Sequence, residues 1–363
     1  MSIGKVIPFR IPDRSLAYAW IFLVFMAVSA WCVDSFCRLW SFSEQYERNG
    51  IQYMLDYKAH RPFVYRLLVP TVARLAPALT QHAPASVQNR LAAIHPPPTW
   101  RADPSLWEQP LSTMYIAVYL ITYVCTVVLM WLLFAIGRVL LGDRPGLALY
   151  PIAFMAVLPI TFLHGGYFYD FSELMFIAAI TLALLIGRDW LLAPLLVLAV
   201  LNKESNILLS ATTLPLLLSR MSLVRAVVRM ALLTLPALAA MLSIRAAFAA
   251  NEGVGAEFQL WQNLGFWMHP SAWLGVTTPY AWGIAFPRPS NVLFVALAAL
   301  TVARAWRPAG RSLQQMLLAS AAVSLPLFLL FCFLDEMRNL SLMFIPLYCL
   351  VVAGQRGGLA SNS

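Results

Sequence analysis

Apolar runs of about 20 residues, the length a helix needs to cross a bilayer, recur along this chain, separated by short polar breaks and two long loops. Read that way, helices fall near 16–39, 112–137, 146–164, 171–187, 190–203, 205–218, 227–248, 290–304, 313–334 and 339–354. The expected fold is an all-α polytopic transmembrane helical bundle of about ten helices, a single integral-membrane domain over 1–363. Composition agrees: 61% of residues are hydrophobic, against roughly 45–50% in a soluble domain.

Charge sets the orientation. With the N-terminus in the cytoplasm, alternate crossings put Lys5, Arg10, Arg14, Arg138, Arg144, Arg188, Arg220, Arg225, Arg229, Arg304, Arg307, Arg311 and Arg356 on the inner side. Only Asp13, Asp143 and Asp189 join them there. The remaining 12 basic and 13 acidic residues, with all five histidines, fall towards the outer face. The inner tally of +10 and outer tally of −1 recover the net charge of +9. That is the positive-inside pattern of a membrane protein, so the basic balance does not indicate a nucleic-acid partner.

Two local features follow. Ala27-Val-Ser-Ala30 faintly resembles a signal-peptidase site, but the apolar run continues past it, so an uncleaved anchor is expected. Cys32, Cys37, Cys125, Cys332 and Cys349 sit in or beside apolar segments without metal-ligand spacing and read as small buried hydrophobes. The pair 190–203 and 205–218 is cramped, because Arg188 and Arg220 both belong inside. Either two full crossings or a re-entrant hairpin would serve, with Asn202-Lys-Glu-Ser205 at the tip facing the outer half of the membrane.

Polar chemistry concentrates in two outer loops, 40–111 and 249–289. The first opens with EQYERNGIQYMLDYKAHRPFVYRLLVP, from Glu44 to Pro70, where Glu44, Glu47, Arg48, Asp56, Lys58, His60, Arg61 and Arg66 stand among aromatics. PFVYRLLVP offers a short amphipathic helix for the interface. The loop ends in a Pro-rich stretch with HPPP at 95–98 and prolines at 104 and 110. The second loop carries WQNLGFWMHP, a further interfacial helix.

Charges beside apolar helices recur at three more outer-side places: His164-Gly-Gly-Tyr-Phe-Tyr-Asp170-Phe-Ser-Glu173, Lys203-Glu204, and Asp335-Glu336-Met-Arg338. An ionisable group within lipid costs roughly 2.5–3.5 kcal/mol on insertion scales, so such groups pair or line a polar cavity. Structural alternatives exist for each. Lys203 and Glu204 are adjacent and need partners on different sides, with Asp170 or Arg338 available to pair. The Asp335–Arg338 stretch can be a solvated turn, His164 a hydrogen-bonded helix end, and Asp34 a partner of Arg38. Four such places at one membrane level nonetheless point to a shared cavity.

In that cavity Arg61, Arg66, Lys203 and Arg338 suit a phosphate or pyrophosphate. Asp56, Asp170, Glu204 or Glu336 suit a general base toward a hydroxyl. His60, Tyr65, His164 and Glu336 complete the candidate substrate contacts. Tyr53, Tyr57, Tyr65, Tyr167, Tyr169, Trp261 and Trp267 can stack on sugar rings or simply belong to the aromatic belt. No metal spacing, P-loop or Gly-rich nucleotide motif is present. The donor is therefore expected to be lipid-linked, and a divalent cation is compatible but not required.

This pattern resembles the GT-C superfamily of integral-membrane glycosyltransferases: about ten helices, N-terminus inside, and a large first outer loop with acids and an interfacial helix. RPFVYRLLVP, LNKES and DEMRN also resemble a group of bacterial membrane proteins placed near that superfamily. The resemblance implies sugar transfer, with inversion, from a polyprenyl-phosphate donor at the periplasmic face of the bacterial inner membrane. It implies a first-loop carboxylate as base, for which Asp56 is the choice over Glu47 and Asp34, with Asp170 and Glu204 orienting the acceptor or a metal. One departure stands out: the only adjacent acidic pair is Asp335-Glu336, not a pair in the first loop. Other readings are a transporter or flippase of a lipid-linked or anionic substrate, an O-antigen ligase or polymerase, and a non-catalytic assembly subunit. Transport is disfavoured by the lack of repeated halves and of polar clusters on the inner half.

Overall fold

The structure, a computed structural model, describes residues 14–42, 46–100, 110–277 and 286–355. Expectations placed on Lys5, Arg10, Asp13, Glu44, Pro104 and Arg356 lie outside those residues. The chain runs through α1 (Arg14–Leu39) into a first loop holding α2 (Ile51–Leu55), α3 (Leu68–Ala73), α4 (Ala76–Thr80) and α5 (Ala85–Ala92). It continues with α6 (Thr113–Leu141), α7 (Leu149–Val157), α8 (Tyr169–Leu185), α9 (Leu192–Asn202), α10 (Leu209–Leu218) and α11 (Leu223–Ala247). A second loop carries α12 (Leu260–Met268), α13 (Pro270–Leu274) and a two-residue antiparallel pairing of β1 (Val276–Thr277) with β2 (Phe286–Pro287). Then come α14 (Val292–Ala309), α15 (Arg311–Phe331) and α16 (Ser341–Gly354).

Six stretches are long and apolar enough to cross a membrane: Leu16–Leu39, Thr113–Leu141, Leu223–Ala247, Val292–Ala309, Arg311–Phe331 and Met337–Gly354. Leu149–Phe162 and Asp189–Asn202 are apolar but shorter. At 1.5 Å per residue, the 11 residues of α9 span about 16 Å, roughly half of a 30 Å hydrocarbon core. The pair expected at 190–203 and 205–218 forms two short helices joined at Lys203. Their junction is buried in protein, with Lys203 and Asn206 inside.

The bundle is layered around α8, whose first two turns are almost wholly buried. α8 packs on α6, α9 and α16, while α1 lies against α6, α9 against α11, α10 against α15, and α14 against α16. α11 and α14 are peripheral, leaving Leu232, Leu235 and Leu242, and Leu293, Leu297 and Leu300, exposed for lipid.

Two expectations change. PFVYRLLVP is not one interfacial helix: Phe63–Tyr65 is a 3-10 turn with Phe63, Val64, Tyr65 and Arg66 buried, and α3 begins only at Leu68. The apolar residues of PFVY are pulled into the core, and the exposed apolar face comes later, at Val72, Leu75 and Leu79. The inner loop expected after residue 304 shrinks to Gly310, whose φ of 87° turns α14 directly into α15. Arg304 and Arg307 are therefore helical.

Where α14 meets α16, a Cβ added at Gly354 would lie 2.6 Å from Ala305 Cβ. Gly354→Ala is expected to wedge the two helices apart and cost about 1–3 kcal/mol, the usual penalty for overpacking. A lowered unfolding midpoint of the purified protein in detergent would show it; an unchanged midpoint would mean that the contact yields freely.

Candidate functional site

Asp170 and Glu173 stand three residues apart in the opening turns of α8, so both side chains share one face. Carboxylates there meet the positive end of the helix dipole, and the Tyr167 N–H donates to Asp170 Oδ2 at 2.9 Å. α9 ends where Lys203 turns extended (φ −159°, ψ 120°), which throws the lysine back against α8. Its Nζ donates to Glu173 Oε2 at 2.8 Å and lies 3.9 Å from Asp170. Ser341 Oγ donates to the other Glu173 oxygen at 2.9 Å. The 3-10 turn Met337–Leu340 then brings Arg338, with Nη1 3.4 Å from Asp170 Oδ2 and Nη2 donating to Glu336 at 3.0 Å. Three segments distant in sequence thus meet in one buried network.

A cluster of aromatic rings, Phe63, Tyr167 and Tyr169, carries the arginines. The Arg66 guanidinium lies 4.5 Å from the Phe63 ring and 4.4 Å from that of Tyr169. Tyr169 stacks on Tyr167 with centroids 5.0 Å apart and planes 12° from parallel. The Arg338 guanidinium caps Tyr167 at 4.4 Å. Cation–π contact of this kind fixes a guanidinium by its face and leaves its N–H edge to act as donor.

These groups border a cavity of about 720 Å³, lined among others by Arg66, Tyr167, Lys203, Glu204, Glu336 and Arg338. Arg48 and Glu257, one from each long loop, pair at 2.7 Å and line it. Met241, Leu327 and Phe331 add an apolar part to its lining. Arg66 is 8% exposed. Its Nε and Nη1 and the Oε2 of Glu204 make no hydrogen bond among the described residues, although Nε and Oε2 are 3.9 Å apart. A buried polar group left so costs about 1–3 kcal/mol. At a cavity wall, such a donor and acceptor are open to water or to a bound molecule. Cys332 also lines the cavity. Burial raises its thiol to about 11, with Glu336 adding to the rise and Lys203 and Arg338 opposing it.

Of the residues singled out from sequence, Asp170, Glu204, Arg66, Lys203, Glu336 and Arg338 gather here. The others do not. Asp56 is exposed at the end of α2 and accepts from Gln52 Nε2 at 3.0 Å, so it is set aside as the base. Arg61 donates to the Gly253 carbonyl at 2.6 Å, and His60 lies 3.4 Å from Glu252, so both tie the two long loops together. Tyr65 is buried in the apolar core. His164 Nδ1 sits 2.8 Å from Asp335 Oδ2, anchoring the turn that presents Glu336 and Arg338. Sequence reasoning left out Glu173 as a site residue, although its spacing from Asp170 signalled a shared face. It also left out Ser341, Arg245 and the Arg48–Glu257 pair, which carry no motif.

Among the described residues, no group of three or more His, Cys, Asp or Glu side chains is arranged to hold a metal ion. No family model, curated protein or solved structure matches this chain.

Proposed function

We propose that this protein is a membrane glycosyltransferase that moves a sugar from a polyprenyl-phosphate carrier to a hydroxyl acceptor. About ten helical segments would cross or enter the bilayer, with the N-terminus in the cytoplasm and the cavity at the periplasmic face of a bacterial inner membrane. The alternation of helix ends supports that arrangement: Arg138, Arg188, Arg220 and Arg304 lie at ends opposite those that carry Lys203 and Arg338.

The observation that carries the reading is Arg66, buried, set against two rings and facing Glu204 across the cavity wall. Arg66, Lys203 and Arg338, with Arg245 on the cavity wall, balance Asp170, Glu173, Glu204 and Glu336. An anionic donor therefore gains little from net charge. It gains from N–H groups already aimed at it, which is how an enzyme stabilises a leaving phosphate without reorganising. In the transfer, Glu204 takes the acceptor hydroxyl's proton and the acceptor oxygen bonds to the anomeric carbon. The bond from that carbon to the phosphate oxygen breaks, and the phosphate leaves with the electron pair beside Arg66 and Arg338. The apolar wall of Met241, Leu327 and Phe331 suits the first isoprene units of the carrier.

Glu204→Gln keeps the shape and removes the base. It is expected to lower sugar transfer by about 10²–10⁴-fold, the range for a lost general base, while leaving polyprenyl-phosphate binding intact. Cells lacking the chain, complemented with wild type or with the variant, would be compared for lipid-linked sugar accumulation by mass spectrometry. Full turnover by the variant would refute Glu204 as the base. Failure of polyprenyl phosphate to raise the unfolding temperature of the wild type would refute the donor class.

A further inference from the structure

A second cleft, of about 850 Å³, opens at the far end of the bundle from the cavity, between the last turns of α14 and α16. Thr301, Arg304, Ala305 and Pro308 recur at three- and four-residue spacing, so α14 presents them on one face. Val351, Gly354 and Gln355 face them from α16. The close approach of Gly354 to Ala305 makes the floor small and apolar, while Arg304 and Arg307 are exposed at the rim.

Some basic residues at comparable helix ends are neutralised, Arg138 by Asp143 at 2.6 Å and Arg229 by Asp189 at 2.8 Å, whereas Arg220 donates to the Leu185 carbonyl at 2.6 Å. Among the described residues no carboxylate pairs with Arg304 or Arg307, and the nearby Arg311 adds a third positive charge without one. Further along α14, Leu293, Leu297 and Leu300 are exposed and continue the cleft as an apolar face on which acyl chains would fit. A basic cleft between helices, at the level of the headgroups and open to acyl chains, has the chemistry of a lipid-phosphate site.

We propose that this cleft binds the headgroup of an anionic phospholipid, with Arg304 and Arg307 donating to its phosphate and Thr301 and Gln355 beside the glycerol end. A soluble anion would have to surrender its hydration to an open cleft for two exposed charges. A lipid arrives already concentrated in the leaflet, with its chains against α14. The site is separate from the transferase cavity, so it stands whether or not sugar transfer is the activity.

The test counts bound lipid by native mass spectrometry on the full chain in detergent, titrated with phosphatidylglycerol, phosphatidylcholine or glycerol-1-phosphate. Arg304→Gln and Arg307→Gln are each expected to weaken phosphatidylglycerol binding about fivefold, and together about 30-fold. Phosphatidylcholine binding should not change, and Arg225→Gln, an exposed arginine outside the cleft, should behave as wild type. Monodispersity on size exclusion confirms that each variant is folded. Undiminished phosphatidylglycerol binding in the double variant, or an equal loss from Arg225→Gln, overturns the site in favour of diffuse attraction. Glycerol-1-phosphate binding as tightly as the lipid overturns the assignment to a membrane lipid.

Discussion

Arg66→Lys is expected to fail almost as badly as Arg66→Ala, with polyprenyl-phosphate binding weakened about 10–100-fold in each. A hydrogen bond to a charged group is worth about 1.5–3 kcal/mol, which is one to two decades of affinity. Lysine keeps the charge, but the site is built for a plane. The Arg66 guanidinium lies 4.5 and 4.4 Å from the Phe63 and Tyr169 ring centroids, and a planar cation stacks on such rings while its N–H edge meets a ligand. A lysine ammonium has no plane to stack, and its point charge would drift toward Glu204, 3.9 Å from the arginine Nε. Titrating purified variants with polyprenyl phosphate, read by thermal unfolding, gives the comparison. Wild-type affinity in Arg66→Lys would show that charge alone suffices and that the ring cluster is packing. Wild-type affinity in Arg66→Ala would remove the phosphate from this wall altogether.

The membrane class and most helix positions were legible in the sequence because hydropathy over 20 residues is a sum, robust to any single substitution. The convergence of polar places was legible too, since lipid penalises each charge and leaves them few places to go. Which carboxylate faces the cavity was not. Asp56 lies in the loop richest in charge, but the helix before it ends there and leaves it in solvent, hydrogen-bonded by Gln52. Lys203 and Glu204, being adjacent, are expected to need partners on different sides, but which partners is not written in the sequence. Only the break in α9 at Lys203 decides that one turns to Glu173 and the other to Arg66. The aromatic cluster was beyond sequence reading altogether, because it joins Phe63 and Arg66 to Tyr167, Tyr169 and Arg338 across more than 270 positions. His60 and Arg61 fall away from the cavity for a related reason: their partners, Glu252 and Gly253, belong to the other long loop.

The largest stability effect is expected at Lys203. Its side chain is 10% exposed, that of Glu173 is 1% and that of Asp170 is 3%. Lys203→Met removes the cation and strands Glu173 beside Asp170 in a low-dielectric interior. Breaking a buried pair from one side costs about 3–5 kcal/mol, because the surviving charge loses its partner without regaining water. For a chain of this size that corresponds to a fall of roughly 10 °C in unfolding midpoint. Adding Glu173→Gln should restore much of the loss, since the stranded charge goes with it while Ser341 can still donate to the amide oxygen. The non-additivity of the two changes measures the pair itself. Disrupting the exposed Arg138–Asp143 pair provides the reference, for surface ion pairs contribute about 0–1 kcal/mol. If Lys203→Met unfolds no earlier than that reference, Arg338 alone must neutralise both acids. Lys203 would then be free to serve a ligand rather than the fold. If the double variant is worse than either single, the network holds the α9–α10 junction by its hydrogen bonds, and charge balance is secondary.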